Sequence, residues 1–183
     1  NTLSIRSLFT FFRRKYESDF AFKGEMHDFT EIVCVIGGKA GITADKNIYL
    51  LSNGLIVHAP NEFHKIWANG EETEVIIFSF NADVFPTLPS NVFSLSPQEI
   101  LEIKDIYKNS EACFTLDGTN VLSVKSGKEF DASKTVKRLE CFLLSVFSHA
   151  EGNSLRYSSR GAENYIKILS VMEEHLSDSL KAE

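Results

Sequence analysis

The 183-residue chain is predicted to be mainly β with C-terminal helices: a β-barrel over residues 1–95, then a helical segment. Three observations predict this. Short apolar runs alternate with turn residues roughly every 8–12 positions through the first half, as in an all-β sandwich or barrel. After residue 95 the apolar positions recur at intervals of three and four, the helical period. Ser96-Pro97-Gln98-Glu99 marks the change, with Ser at the N-cap, Pro at the first helical position and Glu at the third.

The elements follow in order. Leu8 to Phe12 reads as a short strand, with the basic run Arg13-Arg14-Lys15 in a solvated turn after it. Glu31 to Ile36 is almost continuously apolar, as a strand covered on both faces requires. Gly37-Gly38 turns the chain. Ala40 to Ala44 and Ile48 to Leu51 flank the turn Asp45-Lys46-Asn47. Leu55 to His58 and Phe63 to Trp67 follow, separated by Ala59-Pro60-Asn61. Glu74 to Phe80 is the most β-prone stretch. In the first helix Ile100, Ile103 and Tyr107 form the buried stripe. The polar stretch from Asp117 to Asp131 reads as a loop, and Ser133 as the cap of a second helix. Val136, Leu139, Leu143 and Val146 in that helix keep a 3-4-3 spacing, which suits a helix–helix seam. Ala162, Ile166, Leu169, Leu176 and Leu180 repeat the pattern in a third helix after Gly152–Gly161.

Composition narrows the function classes. Net charge is −6 and the pI about 5.4, which argues against this stretch gripping nucleic acid. Cys34, Cys113 and Cys141 form no CxxC pair and read as reduced core thiols of a cytoplasmic protein. No apolar run reaches the roughly 18 residues of a membrane span, so no membrane contact is expected. No phosphate loop, nucleophile elbow or zinc-ribbon spacing is present. The chain starts without Met and stops within a helix-forming stretch, so it is expected to be a fragment of a longer protein.

The candidate site is the polar approach to the second strand. Glu25, His27 and Glu31 lie at even spacing, and in an extended chain such residues share a face. His64 follows in Pro60-Asn61-Glu62-Phe63-His64. Polar groups aimed into an apolar interior mark a ligand or metal site. Ile66 shares the parity of His64 and is a pocket wall. Trp67 has the opposite parity and is expected to pack beneath a helix. Phe9 and Phe11 are core residues or an arm over the pocket. His58 is structural, and His149 and His175 are surface residues on helices. For the Arg13–Lys15 run, an acidic ligand is the alternative to solvation.

At these residues the chain resembles a known family. His27 to Lys39 resembles the first cupin motif of AraC-type transcriptional regulators, with His, an aromatic residue and Glu ahead of an apolar strand and a glycine turn. Asn53 to His64 resembles the second cupin motif, with its Gly, its Pro-containing turn and its closing His. Val136 to Leu144 is similar to the helix these regulators carry after the barrel, and Tyr165 to Leu176 to the helix leading into their DNA-binding half. The resemblance implies a cupin barrel (double-stranded β-helix) over 1–95, a helical dimerisation segment over 96–178, and the start of a helix-turn-helix domain at 179–183. It implies an unidentified small-molecule effector held by His27, Glu31, His64, Ile66 and Glu25. It also implies a homodimer through Val136, Leu139, Leu143 and Val146, with DNA contacted only by the part beyond residue 183.

No catalytic residue, metal or cofactor is expected on this reading. The metal-binding cupin pattern has His where this chain has Glu25, and nothing in the sequence identifies groups that would orient His27 and His64. Two rivals stand beside the sensor. One is a metal-dependent cupin dioxygenase or isomerase using Glu25, His27, Glu31 and His64 as ligands. The other is a cupin that only dimerises, its pocket filled by side chains.

Overall fold

Every apolar run of the first half forms a strand in the computed structural model, which describes residues 2–44 and 47–149. The strands are β1 (Ser4–Tyr16), β2 (Thr30–Gly37), β3 (Ala40–Ala44), β4 (Asn47–Leu51), β5 (Gly54–His58), β6 (His64–Ala68), β7 (Thr73–Val84) and β8 (Val92–Ser94). The chain continues through α1 (Pro97–Cys113), β9 (Phe114–Asp117), β10 (Asn120–Val124) and α2 (Glu129–Ser148).

The strands form two sheets with all neighbours antiparallel. One has the order β8-β5-β2-β7-β1-β10-β9 and the other β4-β3-β6. Residues 20–25 extend the smaller sheet. The Phe22 and Glu25 amides donate to the Ile66 and His64 carbonyls at 2.9 and 3.0 Å, and the Ala68 amide donates to Phe20 at 2.9 Å. The chain thus crosses repeatedly between sheets: β1 in one, 20–25 in the other, β2 back, β3 and β4 over, β5 back, β6 over, β7 back. That alternation with this strand order is a double-sheet jelly roll, the architecture of cupins. It consists of two facing open sheets, not a closed hydrogen-bonded barrel.

Two cores give three layers. Val33, Val35, Ile42, Leu51, Ile56, Val75 and Ile77 pack between the sheets. On the other face of the large sheet, Phe11, Ile32, Cys34, Ile76, Phe78 and Phe80 meet Ile103 and Ile106 of α1 and Leu139, Phe142, Leu143 and Val146 of α2. Consecutive residues of β2 feed opposite cores, which is why its sequence is apolar without alternation.

Ser96 caps α1 as predicted. Its hydroxyl accepts from the Glu99 amide, and the Glu99 carboxylate accepts from the Ser96 amide at 2.8 Å. The buried stripe is shifted from the expected one: Ile103 and Ile106 are fully buried, while Ile100 and Tyr107 flank the core.

Several expectations are corrected. Arg13, Arg14 and Lys15 belong to β1, which runs to Tyr16, because β7 is long enough to pair with it throughout. The Asp117–Asp131 stretch is not all loop. Asp117-Gly118 turns a β9–β10 hairpin that extends the large sheet, with Gly118 at φ +60°. Helix α2 begins at Glu129, one turn before Ser133, where Glu129 and Asp131 face the positive helix end. Cys141 is exposed, so only Cys34 and Cys113 are core thiols.

The proposed dimer seam is also corrected. Leu139, Leu143 and Val146 are buried within this one chain, and Val136 packs on Cys113, Phe114 and Ala132. The helix-covered sheet takes up Leu139, Leu143 and Val146, while Val136 is half-buried. The third helix, His175 and the 179–183 segment lie outside the described residues.

Trp67 lies across Gly41 of β3 in the smaller sheet, not beneath a helix; a Cβ at residue 41 would overlap the indole. Gly41→Ala should therefore displace the chain's single Trp and cost about 1–3 kcal/mol through overpacking. Denaturation followed by Trp67 fluorescence checks both; an unchanged midpoint and emission would contradict the contact.

Candidate functional site

The space between the sheets opens at one end into a cavity of about 430 Å³. One wall is β1, whose alternate residues Thr10, Phe12, Arg14 and Tyr16 point inward. Residues 20–25 form the rim with Phe20, Phe22 and Glu25. The floor is His27, Glu31, His58, His64 and Ile66, and Thr119 and Asn120 from the β9–β10 turn close the end.

Chain geometry brings the floor together. Glu31 opens β2 directly opposite His58 of β5. Glu25 and His64 exchange both backbone hydrogen bonds at 3.0 Å, fixing them side by side. His27 is anchored where the chain crosses from the small sheet to the large one, its carbonyl accepting from the Asn61 amide.

All five sequence-predicted ligand residues thus line one cavity. Glu25, His27, Glu31 and His64 each place one donor atom within 4.8 Å of all the others. His64 Nε2 lies 3.2 Å from Glu31 Oε1 and 3.9 Å from Glu25 Oε1, and His27 Nε2 lies 3.6 Å from Glu31 Oε2. The histidines are oriented from behind. Nδ1 of His27 is 3.0 Å from the Phe29 carbonyl, and Nδ1 of His64 is 3.0 Å from the Glu62 carbonyl. A carbonyl only accepts, so each Nδ1 carries a proton and, in the neutral ring, each Nε2 presents its lone pair. Both Nε2 atoms are buried without a hydrogen bond, although carboxylate oxygens of Glu31 lie within ion-pair distance of each.

Sequence reasoning undervalued His58. It is fully buried, its Nδ1 is 2.8 Å from Glu62 Oε1, and its ring stacks on His64 at 4.2 Å between centroids. Burial holds its pKa below the usual imidazole value, against the opposing pull of Glu62. The signal was available, since His58 closes the strand that pairs with Glu31. Thr119 and Asn120 were missed with their hairpin, and Phe12 because β1 was read as ending there. A bulge between Leu8 and Thr10 sends Phe11 to the helix side, and Phe9 packs on Phe29 at 4.9 Å.

Electrostatics bind the cluster further. Burial pushes the Glu31 carboxyl up, but the facing His27 and His64 rings and the charge of His64 and His58 outweigh it and hold it at about 2. For His64 burial acts downward, and Glu31, the Glu62 carbonyl and Glu25 together raise its pKa above the ordinary value.

This donor set fits a divalent ion. Ligands about 2.0–2.2 Å from a common metal stand roughly 3–4.4 Å from one another; the three pairs at 3.2, 3.6 and 3.9 Å fall in this range, and all four donors lie within 4.8 Å. Two imidazoles and two carboxylates suit hard or borderline first-row ions. The carbonyls behind His27 and His64 are the orienting groups that the sequence alone did not reveal. Glu25, whose side chain is 49% exposed, is the outermost donor.

No family model matches the chain, and no curated protein does. Solved structures resemble it in part. A conserved protein of unknown function from Streptococcus pyogenes aligns at 18% identity over 43% of this chain and 69% of its own, with a TM-score of 0.39. The cupin domain of Schizosaccharomyces pombe Cnp3 aligns at 10% identity over 43% and 63%, TM-score 0.38. A cupin 2 conserved barrel domain protein from Rhodopseudomonas palustris aligns at 20% identity over 44% and 57%, TM-score 0.37. The fold is that of a cupin-type jelly roll. At these scores the assignment rests on the chain's own strand order. Among the described residues, no helix is long and apolar enough to cross a membrane.

Proposed function

We propose that this chain is the effector-binding module of an AraC-type transcriptional regulator, taking a small organic molecule into the cavity between its sheets. One observation carries the reading: the Nε2 atoms of His27 and His64, buried and without partners, lie at the floor of an aromatic-walled cavity of about 430 Å³. Buried polar groups left unpaired cost about 1–3 kcal/mol each, so a ligand atom or ion that pairs with them is stabilising. The ordered cupin-like motifs in the sequence support the regulator class.

The fold supplies a route for the signal. Strand β1 presents Phe12, Arg14 and Tyr16 to the cavity and Phe11 to the helix-side core, where Phe11 meets Tyr107 of α1 and Phe78 at 5.6 and 5.4 Å between ring centroids. A ligand that binds two positions of β1 unequally shifts the helices, and with them whatever follows α2. Coupling of this kind commonly changes affinity about 5- to 150-fold. DNA affinity of the full-length parent protein, measured with and without bound ligand, should change within that range. If no cavity ligand alters it, the sensor reading is wrong.

The four-donor cluster favours a second reading, a metal-dependent cupin enzyme. Glu25, His27, Glu31 and His64 would hold the ion, which would supply Lewis-acid or redox chemistry beside a bound substrate. In that case β1 and the rim orient the substrate, and the carbonyls behind the two histidines keep Nε2 directed at the ion. Turnover of a cavity ligand that depends on stoichiometric metal would establish the enzyme over the sensor.

A further inference from the structure

The cavity carries a charge asymmetry that points to the chemistry of its ligand. Three consecutive cations lie on β1. Arg13 pairs with Glu74 at 2.6 Å and Lys15 with Glu72 at 3.0 Å, both on the outer side of the strand. Arg14 points the other way and lines the cavity mouth. Among the described residues it has no carboxylate within ion-pair distance; its guanidinium carbon lies 5.6 Å from the centre of the Phe12 ring, and its charge acts on Tyr16.

Two carboxylates also face the cavity, but Glu31 lies at the floor among the imidazoles and Glu25 beside His64, and neither is within ion-pair distance of Arg14. Lys65, also at the rim, has its ammonium 5.5 Å from the Phe63 ring. If a divalent ion binds the floor, its two charges offset Glu25 and Glu31, and the cations at the mouth, Arg14 and Lys65, give the cavity a positive balance. Between floor and mouth the surface is flat and apolar. Tyr16 and Phe20 stack at 3.8 Å with 7° between their planes, and Phe29 stacks on His27 at 3.9 Å.

We propose that the ligand is an aromatic carboxylate, its carboxylate paired with Arg14 and its ring lying against the Tyr16–Phe20 face. The guanidinium fork matches a carboxylate through two parallel hydrogen bonds, and the Phe12 ring beneath it limits its freedom. A cavity of about 430 Å³ lies toward the lower end of ligand pockets, roughly 300–1,000 Å³, which suits one or two rings. This rests on the cavity being a ligand site at all.

The test uses benzoate, phenylacetate, 4-hydroxybenzoate and 2-naphthoate, each against its neutral primary amide, with thermal stabilisation and calorimetric Kd as readouts. At least one acid should bind, with its amide weaker by roughly tenfold or more, the loss expected for a charge-assisted pair. Arg14→Gln should weaken the acid to the level of its amide while leaving the amide unchanged, and Arg14→Lys should fall between. Arg14 is exposed, so these variants should fold normally; unchanged midpoints without ligand check this. Acids and amides binding alike, or an acid indifferent to Arg14→Gln, overturns the carboxylate while the ligand cavity stands. Binding by none of the acids also overturns it; if amides and divalent ions fail too, the cavity reading falls with it.

Discussion

His64→Ala should abolish stabilisation of the protein by divalent ions. In the wild type an ion that binds only the folded state adds about 2.7 kcal/mol at a hundred times its Kd. Removing His64 takes away one of two buried imidazole donors, and the one closest to Glu31, at 3.2 Å. His27→Ala should do the same, since its Nε2 is likewise buried without a partner. Glu25→Gln should have the smallest effect of the set, because that side chain is half exposed at the rim. Thermal melts with and without Zn²⁺, Mn²⁺, Ni²⁺ and Co²⁺ check the order. Equal ion-dependent stabilisation in wild type and both histidine variants would place any bound ion elsewhere.

Phe142→Ala should destabilise the protein by about 3–5 kcal/mol, as expected for a fully buried aromatic side chain. That is a large fraction of the 5–15 kcal/mol total of a typical domain. Phe142 is 0% exposed and packs with Leu139, Leu143 and Val146 against α1 and the large sheet. The loss should persist at dilutions where any dimer has dissociated, because these contacts lie within one chain. Denaturant unfolding over a range of protein concentrations measures it. A loss below about 1 kcal/mol in dilute protein would mean that α2 is not part of this core.

The fate of the α2 stripe shows what periodicity can and cannot say. The 3-4-3 spacing of Val136, Leu139, Leu143 and Val146 identifies a buried helix face. It does not say what buries it. A large sheet with one apolar face left over after the inter-sheet core has formed needs a cover, and α2 is that cover. Strands β2 to β7 were legible because each is a β-prone run with Gly, Asn or Pro close to at least one end, whereas only the middle of β1 was read, since no such residue marks its ends. The β9–β10 hairpin was passed over because polar residues on both sides of Val121, Leu122 and Val124 made the whole stretch read as loop; only Asp117-Gly118 betrayed it.

The site was legible for a partly accidental reason. Equal parity of Glu25, His27 and Glu31 suggested one face of one strand. In the folded chain Glu25 belongs to the segment beside β6, and Glu31 to β2 in the opposite sheet. Their side chains meet because the two sheets face one another. What local sequence could not show was the backs of the rings. The carbonyls of Phe29 and Glu62 that orient His27 and His64 carry no side-chain signature, and neither does the burial that leaves both Nε2 atoms unpaired. Arg14 was hidden similarly: as one of three adjacent cations it reads as solvated, and only the pairing of β1 with β7 turns it away from Arg13 and Lys15.

The site stands or falls on the two buried Nε2 atoms. Imidazole ¹⁵N NMR of the protein titrated with Zn²⁺ observes them directly. His27 and His64 Nε2 should shift together and saturate at one ion per chain, while the exposed His149 stays unchanged. Zn²⁺ that leaves both signals in place, or moves only His149, would contradict a metal centre at the cavity floor.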